Sequence, residues 1–139
     1  MKMNITLKDN IIPSLDKLLE LYNNVGWSNY TNNPEMLQKA YENSLLILTA
    51  WMDNKLIGVI RIVGDGASII YIQDILVLEE YQHRGVGFRL FTEAINRYKN
   101  VYQKVLLTDN QPQTKAFYEK MGFRDATECG CISFINFNM

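Results

Sequence analysis

Apolar and polar positions change period several times along this chain of 139 residues, and each change marks an element. Met3 to Lys8 alternates with the period of a half-buried strand. Ser14 then caps a helical pattern that runs to about Asn24, with Leu15, Leu18, Leu19 and Tyr22 on one face and Gly26 as its stop. Asn33-Pro34-Glu35 is a second helix start, a cap followed by proline at the first helical position, and that helix ends near Asn43. Leu45 to Met52 and Lys55 to Val63 are β-rich runs joined by Asp53-Asn54, a hairpin turn. Gly64-Asp65-Gly66 turns the chain into a long apolar strand, Ser68 to Leu78. Helical periodicity returns from Val86 to Tyr98, with Leu90, Phe91, Ala94 and Ile95 apolar. Gln103 to Thr108 reads as a strand, and Pro112 to Met121 as a helix stopped by Gly122. From Phe123 onward, most clearly from Cys131 to Phe137, alternation predicts one or two closing strands.

Hairpins followed by strand-helix-strand units predict an α/β fold: a mixed, mostly antiparallel central sheet flanked by about four helices, on both faces. No repeat or linker interrupts the pattern, so residues 1–139 read as a single domain. Composition narrows the function classes only slightly. A hydrophobic fraction of 47% and a charged fraction of 21% are ordinary for a soluble globular protein, and the net charge of -1 supplies no global attraction to nucleic acid or to an anionic membrane. No stretch approaches the ~18 apolar residues of a membrane span, and the N-terminus carries no signal-peptide run. The expectation is a cytoplasmic protein with neither nucleic acid nor membrane as partner. Cys129 and Cys131 are the only cysteines and would point to opposite faces of a strand, so they predict free thiols and no metal site.

The chemistry concentrates between Ile75 and Leu90. A buried strand, Ile75-Leu76-Val77-Leu78, runs into Glu79-Glu80-Tyr81-Gln82-His83-Arg84-Gly85-Val86-Gly87-Phe88-Arg89, where a tight turn opens a helix. A helix start leaves up to four backbone N–H groups unpaired and concentrates partial positive charge. Glycines at Gly85 and Gly87 remove the Cβ atoms that would keep a pyrophosphate from those donors, and Arg84 and Arg89 can add charge-assisted contacts. Gly-x-Gly alone arises about once by chance in a chain of this length. Gly64-Asp65-Gly66 is the internal control, since it joins two strands and opens no helix. A P-loop would need Gly-Lys-Ser/Thr, which is absent, and a dinucleotide fingerprint would need a small residue where Leu90 stands.

With these residues in view, the chain resembles the GNAT superfamily of acetyl-CoA-dependent N-acetyltransferases. Gln82-His83-Arg84-Gly85-Val86-Gly87 matches that family's Gln/Arg-x-x-Gly-x-Gly/Ala signature. Thr114-Lys115-Ala116-Phe117-Tyr118-Glu119-Lys120-Met121-Gly122-Phe123 looks like its second motif. Many members carry Asn and Ala where this chain has Gln111 and Thr114, so the family's Asn contact to the coenzyme does not carry over, while the helix and Tyr118 do. The resemblance implies acetyl-CoA as cosubstrate. It implies that backbone groups of Ile75, Leu76 and Val77 hold the pantetheine arm, and that the stretch from Gln82 and His83 through Arg84, Gly85, Val86, Gly87, Phe88 and Arg89 holds the pyrophosphate. A homodimer is also implied, and the primary amine of a small molecule is the favoured acceptor. A protein N-terminus or lysine is the alternative acceptor, and a non-catalytic acyl-CoA-binding module or a nucleic-acid-binding domain are the alternative functions.

Attack on a thioester needs a neutral amine, whereas an alkylamine of pKa ~10 is mostly protonated at neutral pH. A carboxylate or an ordered water can take the proton, and a strand N–H freed by a bulge or a splayed strand pair can hold the oxyanion; the family picture gives that donor to Leu76. Tyr118 is the expected acid for the leaving thiolate. Asp74 is the candidate base, as the only acidic residue inside the apolar strand Ile69 to Leu78, with a structural ion pair to Arg61 as its other reading. His83, the only histidine, suits solvent or phosphate better than catalysis. Tyr22, Trp27 and Tyr30 lie where the family shapes its acceptor pocket, so they can form an aromatic wall for the amine or plain core.

Overall fold

Alternation at the N-terminus produces strand β1, Ile5–Asp9; the predicted start at Met3 lies outside residues 4–138, which the computed structural model describes. Ser14 Oγ accepts from Lys17 N–H at 3.4 Å and starts helix α1, Leu15–Asn24. Gly26, at a φ of 81°, turns the chain into a one-turn helix α2, Ser28–Thr31, which carries no periodic signal long enough to be seen in sequence. Asn33 Oδ1 accepts from Met36 N–H and opens helix α3, Pro34–Glu42. Strands β2 (Leu46–Met52), β3 (Lys55–Gly64) and β4 (Ile69–Val77) follow as two hairpins. The turn between β3 and β4 is built by the Asp65 carboxylate, which accepts from the N–H groups of Ala67, Ser68 and Ile69. Helix α4 spans Val86–Arg97 and strand β5 spans Gln103–Leu106.

The five strands form one sheet in the order β1-β2-β3-β4-β5, antiparallel except for the parallel pair β4 and β5. Residues through Leu107 make one compact unit that holds the whole sheet, and residues from Thr108 make a second. Within the first unit, helices cover both faces of the sheet. Arg61 of β3 and Asp74 of β4 point toward α1, α2 and α3, where Tyr22, Tyr30 and Tyr41 meet them. Gly58, three residues before Arg61, faces α4 instead. A Cβ there would stand 3.1 Å from Leu90 Cδ1, 3.2 Å from Leu76 O and 3.4 Å from Val86 Cγ1, so the missing side chain lets α4 sit close against the sheet. Leu90, Phe91 and Ala94 of α4 are fully buried on that side.

The second unit contains helix α5, Pro112–Lys120, ended at Gly122 with a φ of 92°. The closing strands expected from Phe123 onward do not form. Asp125 caps a short 3₁₀ turn, Ala126–Cys129, and residues 131–138 join no ladder among the described residues. Alternation specifies two faces of an extended segment, but a strand also needs a partner edge, which the pattern does not encode. Cys129 and Cys131 are exposed free thiols. No helix among the described residues is long and apolar enough to cross a membrane.

Candidate functional site

Two irregularities open one edge of β4. Arg61 of β3 lies opposite Asp74 and Ile62 lies opposite Ile72, so Gln73 is an extra, bulged residue. Pairing with β5 stops at Ile72 opposite Leu106. From Gln73 to Val77, β4 therefore has no partner strand on that side among the described residues. An antiparallel ladder alternates, and its phase here is fixed by Leu78 N–H donating to Ile57 O at 2.9 Å. Leu76, two residues earlier, faces β3 in the same way. Ile75 and Val77 turn their N–H and C=O groups to the open edge, and Gln82 Nε2 donates to the outward Val77 O at 2.9 Å. The oxyanion donor expected at Leu76 is thereby corrected: its amide belongs to the ladder, and the amide available at the edge is that of Ile75.

Beyond β4, Asn24 Oδ1 accepts from Glu79 N–H at 2.9 Å and pins the exit of the strand to the end of α1. A 3₁₀ turn over Glu79–Tyr81 leads to His83, exposed and at a φ of 62°, and to Gly85, the left-handed cap of α4 at 84°. The first intrahelical bond is Arg89 N–H to Gly85 O at 3.0 Å, so the amides of Val86, Gly87 and Phe88 precede the ladder. The two glycines serve different ends. Gly85 is required by its backbone angle, whereas a Cβ on Gly87 would meet only Val77 Cγ2, at an ordinary 3.8 Å. Nothing in the fold demands glycine at that second position; its bareness keeps room beside the free amides for a ligand. That fits a pyrophosphate. Arg84 lies by the turn with its guanidinium 5.8 Å from the Tyr81 ring. Arg89 departs from expectation: its amide is used inside the helix and its Nη1 donates to Ile5 O at 3.0 Å, which takes it away from the turn.

The buried polar cluster lies under α1 and α2. Asp74, 2% exposed, receives Arg61 Nε and the Tyr22 hydroxyl on Oδ2, each at 2.8 Å, and the Tyr30 hydroxyl on Oδ1 at 3.1 Å. Since the single Tyr22 proton goes to Asp74, the Tyr41 hydroxyl 2.8 Å away donates to Tyr22. Arg61 Nη2 and Gln73 Nε2 both reach Tyr30 Oη at 3.4 Å. The cross-sheet ion pair is therefore present, and both Asp74 oxygens are filled by partners. Burial works against the Arg61 charge, but the adjacent Asp74 carboxylate outweighs it and holds the guanidinium above its usual range. Burial first, and then Tyr41 and Asp74, push the Tyr22 hydroxyl well above the ordinary phenol range; burial does the same to Tyr41.

Those shifts carry a pH prediction. A raised folded-state value means that the stabilising difference is intact below about pH 10 and is lost as pH climbs further, because unfolded tyrosines ionise first. In a spectrophotometric titration, Tyr22 and Tyr41 should ionise only together with the loss of circular dichroism. Tyr22→Phe should remove part of that late absorbance step, and full ionisation of a still-folded protein would contradict the assignment.

The aromatic residues named from sequence do come together. Tyr22 stands 5.0 Å from Tyr30 and 5.9 Å from Trp27 between ring centroids, and Trp27 stacks on Tyr30 at 6.2 Å. Tyr22 is fully buried with its hydroxyl committed, which makes it a core residue with no face open to a ligand, whereas Trp27 is half-buried. Tyr41 and Gln73 were missed. The only signal for Tyr41 was a tyrosine on the apolar face of its helix, and a bulge leaves no mark in the period. Tyr118 lies in α5 of the second unit, edge-on to Phe117 at 5.1 Å and to Phe123 at 6.4 Å. Its hydroxyl is pushed up chiefly by burial and then by the Asp109 charge. Among the described residues no cluster of three or more His, Cys, Asp or Glu could hold a metal ion.

The sequence model of the acetyltransferase (GNAT) domain matches residues 16–137. An uncharacterised N-acetyltransferase of the ycf52-like type from Prochlorococcus marinus is 31% identical over 116 residues, which cover 78% of this chain and 62% of that protein. A GNAT-family acetyltransferase from Streptococcus pneumoniae superposes with a TM-score of 0.87 at 38% identity, over 97% of this chain and 98% of the other. PaiA N-acetyltransferase from Thermoplasma acidophilum, solved with coenzyme A, shares the fold at a TM-score of 0.73 and 22% identity, over 88% of this chain and 91% of that one.

Proposed function

Because this chain belongs to the GNAT family of acetyltransferases, we propose that it transfers an acetyl group from acetyl-CoA to the primary amine of a small molecule. The observation that carries the reading is the juxtaposition of an unpaired β4 edge with the bare amides at the start of α4. A diphosphate at those amides would leave an extended arm to run back along Val77 and Ile75. There it would find strand-like hydrogen-bonding groups, as a further strand would. The coenzyme A held by the Thermoplasma PaiA enzyme supports an acyl-CoA ligand for the shared fold.

In this reading the amine attacks the thioester carbonyl directly. The Ile75 N–H stabilises the oxyanion, the carbon–sulfur bond breaks, and the thiolate leaves as a thiol. The motif likeness assigns the thiolate's proton to the Tyr118 hydroxyl, a phenol that is protonated at neutral pH in any case and that burial holds higher still. The acceptor ammonium first loses one proton to water at the open edge, since the Asp74 oxygens are occupied, and the neutral amine attacks; the second proton that its nitrogen sheds as the intermediate collapses returns through water to the Tyr118 oxygen.

A thiol-release assay with acetyl-CoA and a panel of amines tests the proposal. Coenzyme A should appear only when an accepted amine is present, and Tyr118→Phe should slow turnover about a hundredfold. Acetyl-CoA binding with no thiol release for any amine would instead favour a non-catalytic acyl-CoA module.

A further inference from the structure

Resting on that reading, we propose that Asp74 is a positioning residue rather than the base: its carboxylate fixes Tyr30, and through it the Trp27 ring, as the wall against which the acceptor amine lies. Three observations converge on it. First, the open edge of β4 runs from Val77 back to the bulge at Gln73, about 13 Å of strand at the usual rise. An extended arm anchored at the start of α4 therefore delivers its acyl end toward the bulge.

Second, the bulge is where α2 touches the sheet. Gln73 Nε2 and Asp74 Oδ1 both bond the Tyr30 hydroxyl, at 3.4 and 3.1 Å, so the ring is held from two successive residues of β4. Trp27, at the cap of α2, stacks on that ring with an interplanar angle of 26°. Helix α2 has only four residues and no side-chain cap bond of its own. The Trp27 N–H donates to Tyr22 O at 3.0 Å and ties its start to α1, while its tie to the sheet runs through the Tyr30 hydroxyl.

Third, Asp74 is badly disposed to accept a substrate proton. It is 2% exposed, and Arg61, Tyr22 and Tyr30 already occupy its oxygens. A base must reach the proton that it takes, directly or through one water. The arrangement serves orientation instead, in the way that a support residue locks the rotamer of a group that meets substrate.

Steady-state kinetics of the full chain across pH 6 to 9 decides between the roles, with Tyr30→Phe and Asp74→Asn beside the parent. Tyr30→Phe deletes one hydroxyl and keeps the ring, so it preserves the fold best. The expected result is an amine KM raised about tenfold in both variants, kcat within about threefold, an unchanged KM for acetyl-CoA, and an unshifted pH profile. A fall in kcat of a hundredfold or more in Asp74→Asn, with loss of the acidic limb of kcat/KM, would make Asp74 the base and overturn the proposal. So would an unchanged amine KM in Tyr30→Phe. No turnover by the parent with any amine would overturn the transferase reading itself, and this proposal with it; the parent's activity thus separates the two failures.

Discussion

Gly87→Val should weaken acetyl-CoA binding about a hundredfold while moving the thermal midpoint by no more than a few degrees. The separation follows from what surrounds the glycine. A Cβ there would touch only Val77 Cγ2, at 3.8 Å, and replacing glycine near the start of α4 carries no penalty of helix propensity. Folding has no stake in the position. The amides of Val86, Gly87 and Phe88, by contrast, lie before the first intrahelical bond, and a valine would cover the approach to them. Losing one or two charge-assisted hydrogen bonds of about 1.5–3 kcal/mol each amounts to roughly 3 kcal/mol, which is a factor of about a hundred in Kd. Gly87→Ala is the graded control and should bind within about fivefold of the parent, since one methyl only narrows the cradle. Titration calorimetry and a melting curve on the same preparations supply both numbers. Retained affinity in Gly87→Val would place the diphosphate elsewhere; a collapsed melting point would mean that the glycine serves the fold.

Most of this architecture was readable because it is local. Ser14 and Asn33 cap the helices at which they were placed, Pro34 opens α3, and Gly85 opens α4, because a cap is a contact between neighbours in sequence. The hairpins of β2, β3 and β4 follow from alternation and turn residues in the same way. The failures are non-local. The segment from Cys131 to Phe137 has a strand's alternation without a partner edge, and helix α2 is too short to declare a period. The bulge at Gln73 exists only as a mismatch between two strands, and which β4 amides face the open edge is fixed by the phase of the ladder with β3, so the resemblance pointed to Leu76 where the ladder presents Ile75. The candidate site divides along the same line: its phosphate turn is one contiguous motif, whereas its polar cluster draws on α1, α2, α3, β3 and β4 together.

That cluster underlies the largest expected loss of stability. Arg61→Met should destabilise the fold by about 3–5 kcal/mol in urea unfolding at neutral pH, because it strands a carboxylate that is 2% exposed. The pair itself is a different matter from either half of it. Desolvating both ions offsets much of their attraction, so removing both with Arg61→Met and Asp74→Leu should recover most of the loss, leaving a deficit nearer 1–2 kcal/mol for the orphaned Tyr22 and Tyr30 hydroxyls. Asp74→Leu alone strands the buried Arg61 at a similar cost of about 3–5 kcal/mol, so the two single losses should exceed the loss in the double variant by roughly 4–9 kcal/mol, and that non-additivity is the signature of the double-mutant cycle. Additive losses would show that Arg61 and Asp74 act independently, contrary to the 2.8 Å contact between them. The double variant also separates scaffold from site. Its fold returns, but no carboxylate is left to hold the Tyr30 hydroxyl, so helix α2 loses one of its two anchors on β4 and the amine KM should stay high. A protein whose stability and amine KM recovered together would show that α2 is held by packing alone, and that the polar cluster does no more than fill the core.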